Sequence, residues 1–446
     1  MAVKKDYAED VPRQGSPFTC SFKDGVCHIH VSPSIGSLII RSRLVPLINR
    51  MEVRVPVAVH GVPYCVLPDA FELVVDDGKG VKRDVCQVCS LKDICAGFPA
   101  GMDASGANPF IPSLREVGIE LNRFCLFRCG FCFFKYDPDG SNRVMPKDTV
   151  FRIIDGLKKM GIPAVRFFGG DPVLRPDFIE ILKYARSRGL LIIINTNGVF
   201  KMASDDSIIA STADLIVVSL HGHDEKSQGD LTGRPDLFKN VLLSIKRITS
   251  SQPEKLMVST LITKEFEKNK DRYLEILCRL GVRRWSLNRQ LFSPEDSSAC
   301  DYLVKDKESF IALAHWAKRA SEEKNVRIIL NDLPHCLLNE YERFLVSHNA
   351  QTNSMTRLFC DISGSFKPTP SYKMDLGSDL DSAWNHSPMR WPVQGLDPPV
   401  PKECLRCKAL MRCLGGSRSM AYLSTGKLDG KDPFMVGPIS DGQNGS

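Results

Sequence analysis

The sequence predicts an α/β fold: a partial (β/α)6 TIM-type barrel, flanked by one small cysteine-rich unit on its N-terminal side and another on its C-terminal side. The first observation behind this prediction is the alternation of apolar runs of strand length with amphipathic helical segments between residues 115 and 293. This alternation is typical of βα units around a parallel sheet. The second observation is that nine of the 16 cysteines form three short clusters, one within this region and one on each side of it.

The six predicted strands follow one another along the chain, and helices separate most of them. The strands are expected at residues 115–122, 164–170, 190–198, 213–222, 254–263 and 282–292. The helices are expected at residues 147–161, 175–189, 237–249 and 271–280. The strand ends carry, in chain order, the cysteine loop FCLFRCGFCFF and the motifs GGDP, NTNG, SLHG and NRQLFSP. Because parallel barrels place their chemistry at the C-terminal ends of the strands, these motifs predict one functional rim.

The cysteine loop after the first barrel strand offers three thiols, from Cys125, Cys129 and Cys132. A structural zinc site uses four protein ligands, and no nearby Cys or His completes this set. The loop therefore indicates a metal centre with one open coordination position, and a structural zinc site is the alternative.

The spacing Cys125-x3-Cys129-x2-Cys132, followed by GGDP and TNG at the next two strand ends, resembles the radical SAM superfamily over about residues 115–300. The resemblance implies that the three thiolates hold three irons of a [4Fe–4S] cluster. It also implies that the fourth iron binds the amino and carboxylate groups of S-adenosylmethionine (SAM). On this interpretation the open position is the active site.

The same resemblance implies which residues contact SAM. The turn of Gly169, Gly170 and Asp171 is expected to receive the methionine ammonium, although the family more often has Glu where this chain has Asp171. The other expected contacts are Phe131 beside the adenine, and Asn197 and Ser219 as polar partners of SAM or its ribose. A core position is the alternative for Phe131, and no catalytic residue is assigned.

An internal repeat flanks the barrel. In each copy a strand-like run ends in Pro-x-Cys and is followed by Cys-x2-Cys-x5-Cys-x-Gly. The copies comprise Cys65, Cys86, Cys89 and Cys95 on the N-terminal side, and Cys336, Cys404, Cys407 and Cys413 on the C-terminal side. Four thiolates suit a closed site that holds either a [4Fe–4S] cluster or zinc.

The spacing Cys-x2-Cys-x5-Cys resembles the auxiliary-cluster module, SPASM or its shortened twitch form, that is appended to many radical SAM barrels. This resemblance favours two auxiliary [4Fe–4S] clusters over zinc. A full SPASM module has a further cysteine shortly after the position of Cys413, and none follows here. The C-terminal unit can therefore close one cluster, for whose fourth position Cys336 and Cys360 compete. The repeat favours Cys336, and the twitch form favours Cys360.

Three domains are expected: an N-terminal auxiliary-cluster domain at 1–112, the radical SAM partial barrel at 113–300 and a C-terminal SPASM/twitch-like domain at 301–446. By resemblance, this organisation implies an enzyme that modifies a peptide or protein substrate by hydrogen abstraction, with an electron donor such as flavodoxin or ferredoxin. The alternatives are radical SAM oxidation or rearrangement of a small molecule in cofactor or natural-product biosynthesis, and a non-catalytic Fe–S or zinc scaffold.

Composition argues against several other classes of protein. No run of about 18 apolar residues is present and none follows the N-terminal lysines, so we expect a cytoplasmic protein without a membrane span or secretory signal. Sixteen cysteines in such a chain indicate metal or redox chemistry rather than disulfides. The net charge is +7, but basic and acidic residues are interspersed, so no nucleic-acid partner is expected.

Overall fold

The computed structural model describes residues 18–439 with gaps. The residues outside the description are 1–17, 24–25, 34–39, 41–43, 45–46, 49–56, 68–70, 77, 88, 90, 92, 105–106, 108, 133–142, 201–202, 292–302, 341, 348–354, 392–397 and 440–446, together with the side chains of 72 and 203–206.

The N-terminal region contains a four-stranded sheet and a short helix. The strands, in the order in which they pair, are β1 (Phe18–Lys23), β2 (Val26–Val31), β3 (Val57–His60) and β4 (Val74–Val75). The first two strands form an antiparallel hairpin, while β2, β3 and β4 pair in parallel. The helix α1 (Asp84–Gln87) carries Cys86, which packs against the same hydrophobic core as this sheet.

A nine-stranded sheet lies at the centre of the molecule. Six of its strands are parallel, adjacent and in sequence order: β5 (Glu116–Glu120), β6 (Ala164–Phe168), β7 (Leu191–Thr196), β8 (Leu215–Ser219), β9 (Leu256–Leu261) and β10 (Arg284–Asn288). These are the strands that the alternating pattern predicts. The predicted α/β fold with a partial parallel barrel is therefore confirmed.

Helices connect these strands and pack on them through their apolar faces. They are α2 (Lys147–Lys159), α3 (Phe178–Ser187), α4 (Ala203–Thr212), α5 (Glu225–Thr232), α6 (Phe238–Ser251) and α7 (Lys264–Leu280). In α2 the buried residues Val150, Ile154 and Leu157 recur at helical spacing. Within the described segments, no helix combines the length and the hydropathy that a bilayer crossing requires.

Three strands beyond residue 300 extend the central sheet at both edges: β11 (Arg327–Asn331), β12 (Arg357–Cys360) and β13 (Phe366–Lys367). The helices of this region are α8 (Lys307–Lys324), α9 (Leu380–Asn385), α10 (Leu410–Cys413) and α11 (Arg418–Thr425). Strand β11 pairs in parallel with β10, and β12 pairs in parallel with β5. The sheet thus crosses the domain boundary expected at residue 300, and the three-domain division stays a prediction.

A buried ion triad attaches β12 to the barrel. Arg166 on β6 and Arg357 on β12 each place Nε 2.6 Å from Oε1 of Glu116 on β5. Burial opposes ionisation of this carboxyl group, yet the two guanidinium groups lower the pKa of Glu116 to about 2. The carboxylate therefore stays charged at neutral pH and holds three neighbouring strands together.

The buried apolar side chains form two cores. The larger core lies among the barrel strands, their helices and α8. The second core is shared by the two cysteine-rich ends of the chain, because Tyr64, Phe71 and Phe110 pack in one cluster with Trp391 and Leu410. We call this cluster the shared core. The N-terminal and C-terminal cysteine sets both border it.

Candidate functional site

The cysteine loop after β5 borders a large cavity at the carboxyl ends of the barrel strands. The cavity has a volume of about 710 Å³, and its lining includes Cys125, Cys129 and Cys132. Residues near the C-terminal ends of β6, β7, β8, β9, β10 and β11 complete the wall. The structure thus brings the three predicted cysteines together at the predicted rim.

The chemistry of this donor set fits a [4Fe–4S] cluster. Burial raises the pKa of Cys125 to about 11 and that of Cys129 to about 12, so neither thiol ionises readily without a cation. Cysteine binds metals as the thiolate, and metal binding displaces the proton. Three such thiols beside an open cavity can hold three irons of a cluster and leave the fourth accessible to a ligand.

Asn197, after β7, contacts the first cysteine of the triad directly. Its Nδ2 donates to Sγ of Cys125 at 2.9 Å, and the backbone N–H of Phe127 donates to the same sulfur at 3.3 Å. Hydrogen bonds to cysteine sulfur tune the reduction potential of iron–sulfur clusters. Asn197 also lines the cavity, so this side chain contacts both Cys125 and the cavity.

The glycine turn after β6 lies against the cysteine loop. A Cβ atom on Gly169 would overlap the carbonyl oxygen of Asn122, and one on Gly170 would overlap that of Phe124. Gly169 also has φ +147°, which side chains disfavour. The N–H of Gly170 donates to the carbonyl oxygen of Asn122 at 2.7 Å. Close packing of two backbones therefore requires both glycines, and both line the cavity.

Asp171 lies outside the cavity lining, unlike Gly169 and Gly170 of the same turn. Its Oδ2 accepts from the N–H of Asn197 at 3.1 Å, and its Oδ1 accepts from the N–H of Val173 at 3.4 Å. The residue is buried, which raises the pKa of its carboxyl group to about 7. It is absent from the cavity lining among the described residues. The carboxyl group thus links the glycine turn to the turn after β7 from outside the cavity, whereas the sequence suggested a direct contact with SAM.

Replacement of Asp171 with Ala is expected to loosen both turns. The N–H groups of Asn197 and Val173 lose their acceptor, so we expect the free energy of unfolding to fall by about 1–3 kcal/mol and SAM affinity to fall with it. Denaturant unfolding and equilibrium dialysis of SAM measure the two effects. Asp155→Ala, which removes an exposed carboxylate on α2, is the matched control. Unchanged SAM affinity in Asp171→Ala would contradict this role.

Phe131 and Ser219 also line the cavity, together with His221. The rings of Phe131 and His221 meet edge to face with their centroids 4.9 Å apart. Burial lowers the pKa of His221 to about 4, and its Nδ1 accepts from the N–H of Leu261. The imidazole is therefore neutral at pH 7 and carries its proton on Nε2.

The far wall of the cavity contains polar residues to which no role was assigned from the sequence, although three of them belong to the strand-end motif NRQLFSP. They are Ser259, Asn288, Arg289, Gln290 and Asp332, from the ends of β9, β10 and β11. The only sequence signal for them was the polar run NRQ directly after an apolar strand.

The four N-terminal cysteines lie together. Cys65, Cys86, Cys89 and Cys95 line one small cavity of about 20 Å³. Burial, together with the nearby cysteines, raises the pKa of Cys65 to about 12. Backbone N–H groups of Arg83 and Gly97 donate to Sγ of Cys86 and Cys95.

The C-terminal repeat is arranged in the same way. Cys336, Cys404, Cys407 and Cys413 line a cavity of about 10 Å³. Backbone N–H groups of His335, Val436 and Ile439 donate to the sulfurs of Cys413, Cys336 and Cys407 at 3.2–3.3 Å. Cys360 is instead buried at the end of β12 within the barrel core and is not among the lining residues.

A single zinc ion would require its protein ligands to lie close together. Tetrahedral zinc with Zn–S bonds of about 2.3 Å places its sulfurs about 3.8 Å apart. Among the side chains that the structure describes, no group of three or more Cys, His, Asp or Glu meets the requirements of a single metal ion.

Comparison with known proteins gives matches in the barrel region. The family model described as Radical SAM superfamily matches residues 119–276. A probable GTP 3',8-cyclase of Saccharolobus islandicus (strain M.14.25 / Kamchatka #1) is 26% identical over 170 residues, which are 38% of this chain and 54% of that protein. One of Sulfurisphaera tokodaii is 25% identical over 171 residues, with the same coverage. The chain thus spans about half the length of these curated relatives.

Solved structures share the fold over a longer stretch. Streptococcus suis SuiB bound to S-adenosylmethionine superposes with a TM-score of 0.56 at 19% identity, over 72% of this chain and 76% of that one. Native anSMEcpe with bound AdoMet superposes with a TM-score of 0.55 at 14% identity, over 72% of this chain and 94% of that one. The cysteine loop and the glycine turn lie inside residues 119–276, the region that is similar to the radical SAM superfamily, and the solved structures share the fold around it.

Proposed function

We propose that the protein cleaves SAM reductively to a 5′-deoxyadenosyl radical and uses this radical to abstract hydrogen from a peptide or protein substrate. The observation that carries the proposal is the cavity of about 710 Å³ that the cysteine triad and the strand-end turns line together. This space is large enough for SAM and for a segment of a second molecule beside it.

When bound, the cluster supplies the electron that cleaves SAM. The residues of the chain bind and orient SAM. The bare backbone of Gly169 and Gly170 lets the methionine end approach the cysteine loop, and Phe131 offers an apolar edge for the adenine. Asn197 fixes Cys125 through its hydrogen bond. Neutral His221 offers an Nε2–H donor without adding positive charge beside the sulfonium.

Two observations support a peptide as the second molecule. One solved structure of SuiB is bound to precursor peptide SuiA, and one of anSMEcpe has bound AdoMet and Kp18Cys peptide; both superpose on this chain with a TM-score of 0.55. Uncharged hydroxyl and amide groups also line much of the cavity, from Asn195, Ser259, Asn288 and Gln290. Such groups suit the neutral donors and acceptors of a peptide backbone.

A nucleotide is the second candidate substrate, because the curated relatives are named as GTP 3',8-cyclases. A triphosphate calls for several cations without competing carboxylates. Two of the three arginines in the cavity wall already have carboxylate partners: Arg123 pairs with Glu120 at 2.7 Å, and Arg289 pairs with Asp432 at 2.9 Å. This pairing favours the peptide over the nucleotide.

We further infer that each flanking cysteine set holds an auxiliary [4Fe–4S] cluster. Four thiols around one cavity and backbone N–H groups aimed at their sulfurs support this assignment. In this role the clusters carry electrons to or from the barrel, with flavodoxin or ferredoxin as the outside donor.

The test is to reconstitute the protein anaerobically with iron and sulfide and to supply SAM and dithionite. We expect 5′-deoxyadenosine, and an increase in its rate when a substrate peptide encoded near the gene is added. GTP is the matched control and is expected to give no increase and no cyclised product. Absence of 5′-deoxyadenosine under all these conditions would leave the non-catalytic scaffold. Stimulation by GTP with formation of a cyclised nucleotide would establish the second candidate.

A further inference from the structure

Only one of the three nitrogens of the Arg289 guanidinium group donates hydrogen bonds to the described residues. Arg289 follows β10, lines the large cavity and is 4% exposed. Its Nη1 donates to both carboxylate oxygens of Asp432, at 2.9 and 3.0 Å, and to the carbonyl oxygen of Asp332 at 3.1 Å. All the hydrogen bonds that the described residues give this side chain therefore go through one nitrogen.

The other edge of the same group has no acceptor. Among the described residues, Nε and Nη2 of Arg289 are buried and have no hydrogen-bond partner. Unpaired buried donors are costly, and charged ones more so. The Nε–Nη2 edge is also the fork that binds two acceptor atoms side by side. The ring of Phe434 lies 3.8 Å from the guanidinium carbon and covers one face, so a partner has to approach in the plane of the group.

The charges around Arg289 decide which acceptor suits this edge. Asp432, whose side chain is fully buried, already neutralises the guanidinium group. Asp332 adds a second carboxyl group to the same wall, and burial raises its pKa to about 6, so it is mostly ionised at pH 7. A carboxylate or phosphate would therefore enter a region without surplus positive charge. A neutral carbonyl oxygen would satisfy the free donors without this repulsion.

We propose that the Nε–Nη2 edge of Arg289 binds main-chain carbonyl oxygen of a peptide in the large cavity and so selects a neutral peptide segment over an anionic ligand. The inference rests on the proposed peptide function and adds the residue that positions the peptide. Arg289 lies on the wall formed by β10 and β11, while the cysteine triad lies on the wall formed after β5. A segment held by Arg289 thus lies across the space that SAM shares.

Arg289→Lys is the variant that separates the free edge from the ion pair. A lysine ammonium can still pair with Asp432, but it cannot present two parallel N–H groups on a second side. The probe is a pool of random hexapeptides without acidic or basic residues, acetylated at the N-terminus and amidated at the C-terminus. We expect the reconstituted protein with SAM to retain these peptides, and Arg289→Lys to retain them about tenfold less well, the effect of one or two hydrogen bonds.

Arg357→Lys is the matched control, because Arg357 also pairs with a buried carboxylate, Glu116, but lies outside the cavity lining. It is expected to leave peptide retention unchanged. Iron content and thermal unfolding of both variants check that the fold is intact. Equal retention by the original protein and Arg289→Lys would overturn the role of Arg289 and leave the peptide function standing.

Asp432→Asn tests whether the negative charge beside Arg289 keeps anionic ligands from binding. It removes the compensating charge while keeping one acceptor oxygen near Ser417 and Phe434, whose N–H groups now bind Asp432. We expect binding of GTP, and of hexapeptides with a free C-terminal carboxylate, to rise about tenfold. If GTP displaces the capped peptides from the unaltered protein at equal concentration, the preference for a neutral acceptor is wrong. If the unaltered protein retains GTP and no peptide, the proposed peptide function fails as well.

Discussion

Replacement of Cys125, Cys129 and Cys132 together by Ala is expected to reduce 5′-deoxyadenosine formation from SAM below detection. The reason is that these three thiols are the proposed protein ligands of the cluster that would deliver the electron. Iron content should fall by about four atoms per chain, from about 12 to about 8, if each of the three cysteine sets holds one four-iron cluster. Chromatography of the SAM products and an iron assay measure the two effects.

The triple substitution should leave the fold and the flanking cysteine sets intact. The triad borders the barrel core, whereas the flanking cysteine sets border other cavities and the shared core. Far-UV circular dichroism should therefore be unchanged. Cys278→Ala, which removes an exposed thiol on α7, is the matched control and should keep full SAM cleavage. Undiminished 5′-deoxyadenosine from the triple variant would refute the assignment of the triad.

The second large effect is expected from Cys336, and not from Cys360. Cys336 lines the same small cavity as Cys404, Cys407 and Cys413, so Cys336→Ala should open one iron of that cluster to solvent. The expected signature is an oxygen-labile or three-iron cluster, seen by electron paramagnetic resonance, with the other two clusters intact. Cys65→Ala should give the same signature for the N-terminal set.

Cys360→Ala is the comparison that decides between the two candidate ligands. Its thiol is buried in the barrel core at the end of β12, so its loss should cost about 1 kcal/mol of packing and leave all three clusters unchanged. Damage to the C-terminal cluster by Cys360→Ala and not by Cys336→Ala would make Cys360 the ligand. Should the flanking sets instead bind zinc, the chain would hold about four irons and the auxiliary clusters would not exist.

The barrel could be predicted because each sequence pattern that indicates it lies within a short segment of the chain. Each of the six strands is an apolar run, five of them end in a recognisable motif, and GGDP and the cysteine spacing each lie within a few residues. The pairing of β12 with β5 could not be predicted, because it joins a four-residue strand to one about 240 positions earlier in the sequence. Such contacts depend on the path of the whole chain.

The same limit applied within the candidate site. The triad and both glycines could be assigned from their spacing, but the Arg289–Asp432 pair joins residues 143 positions apart. The orientation of the Asp171 side chain could not be predicted either, because the motif GGDP does not show whether the carboxyl group faces the cavity or the turn after β7. The hydrogen bond from the N–H of Asn197 to Asp171 settles it.

The shared core delays the full enclosure of the N-terminal cysteine set until the C-terminal part of the chain has been synthesised. Ribosomes deliver the N-terminal segment first, so Tyr64, Phe71 and Phe110 emerge long before Trp391 and Leu410, the residues that they pack with. During that interval one side of the first cysteine set is open to water and oxygen. Iron delivery to the cysteines made first is therefore expected to wait until the last part of the chain has been made.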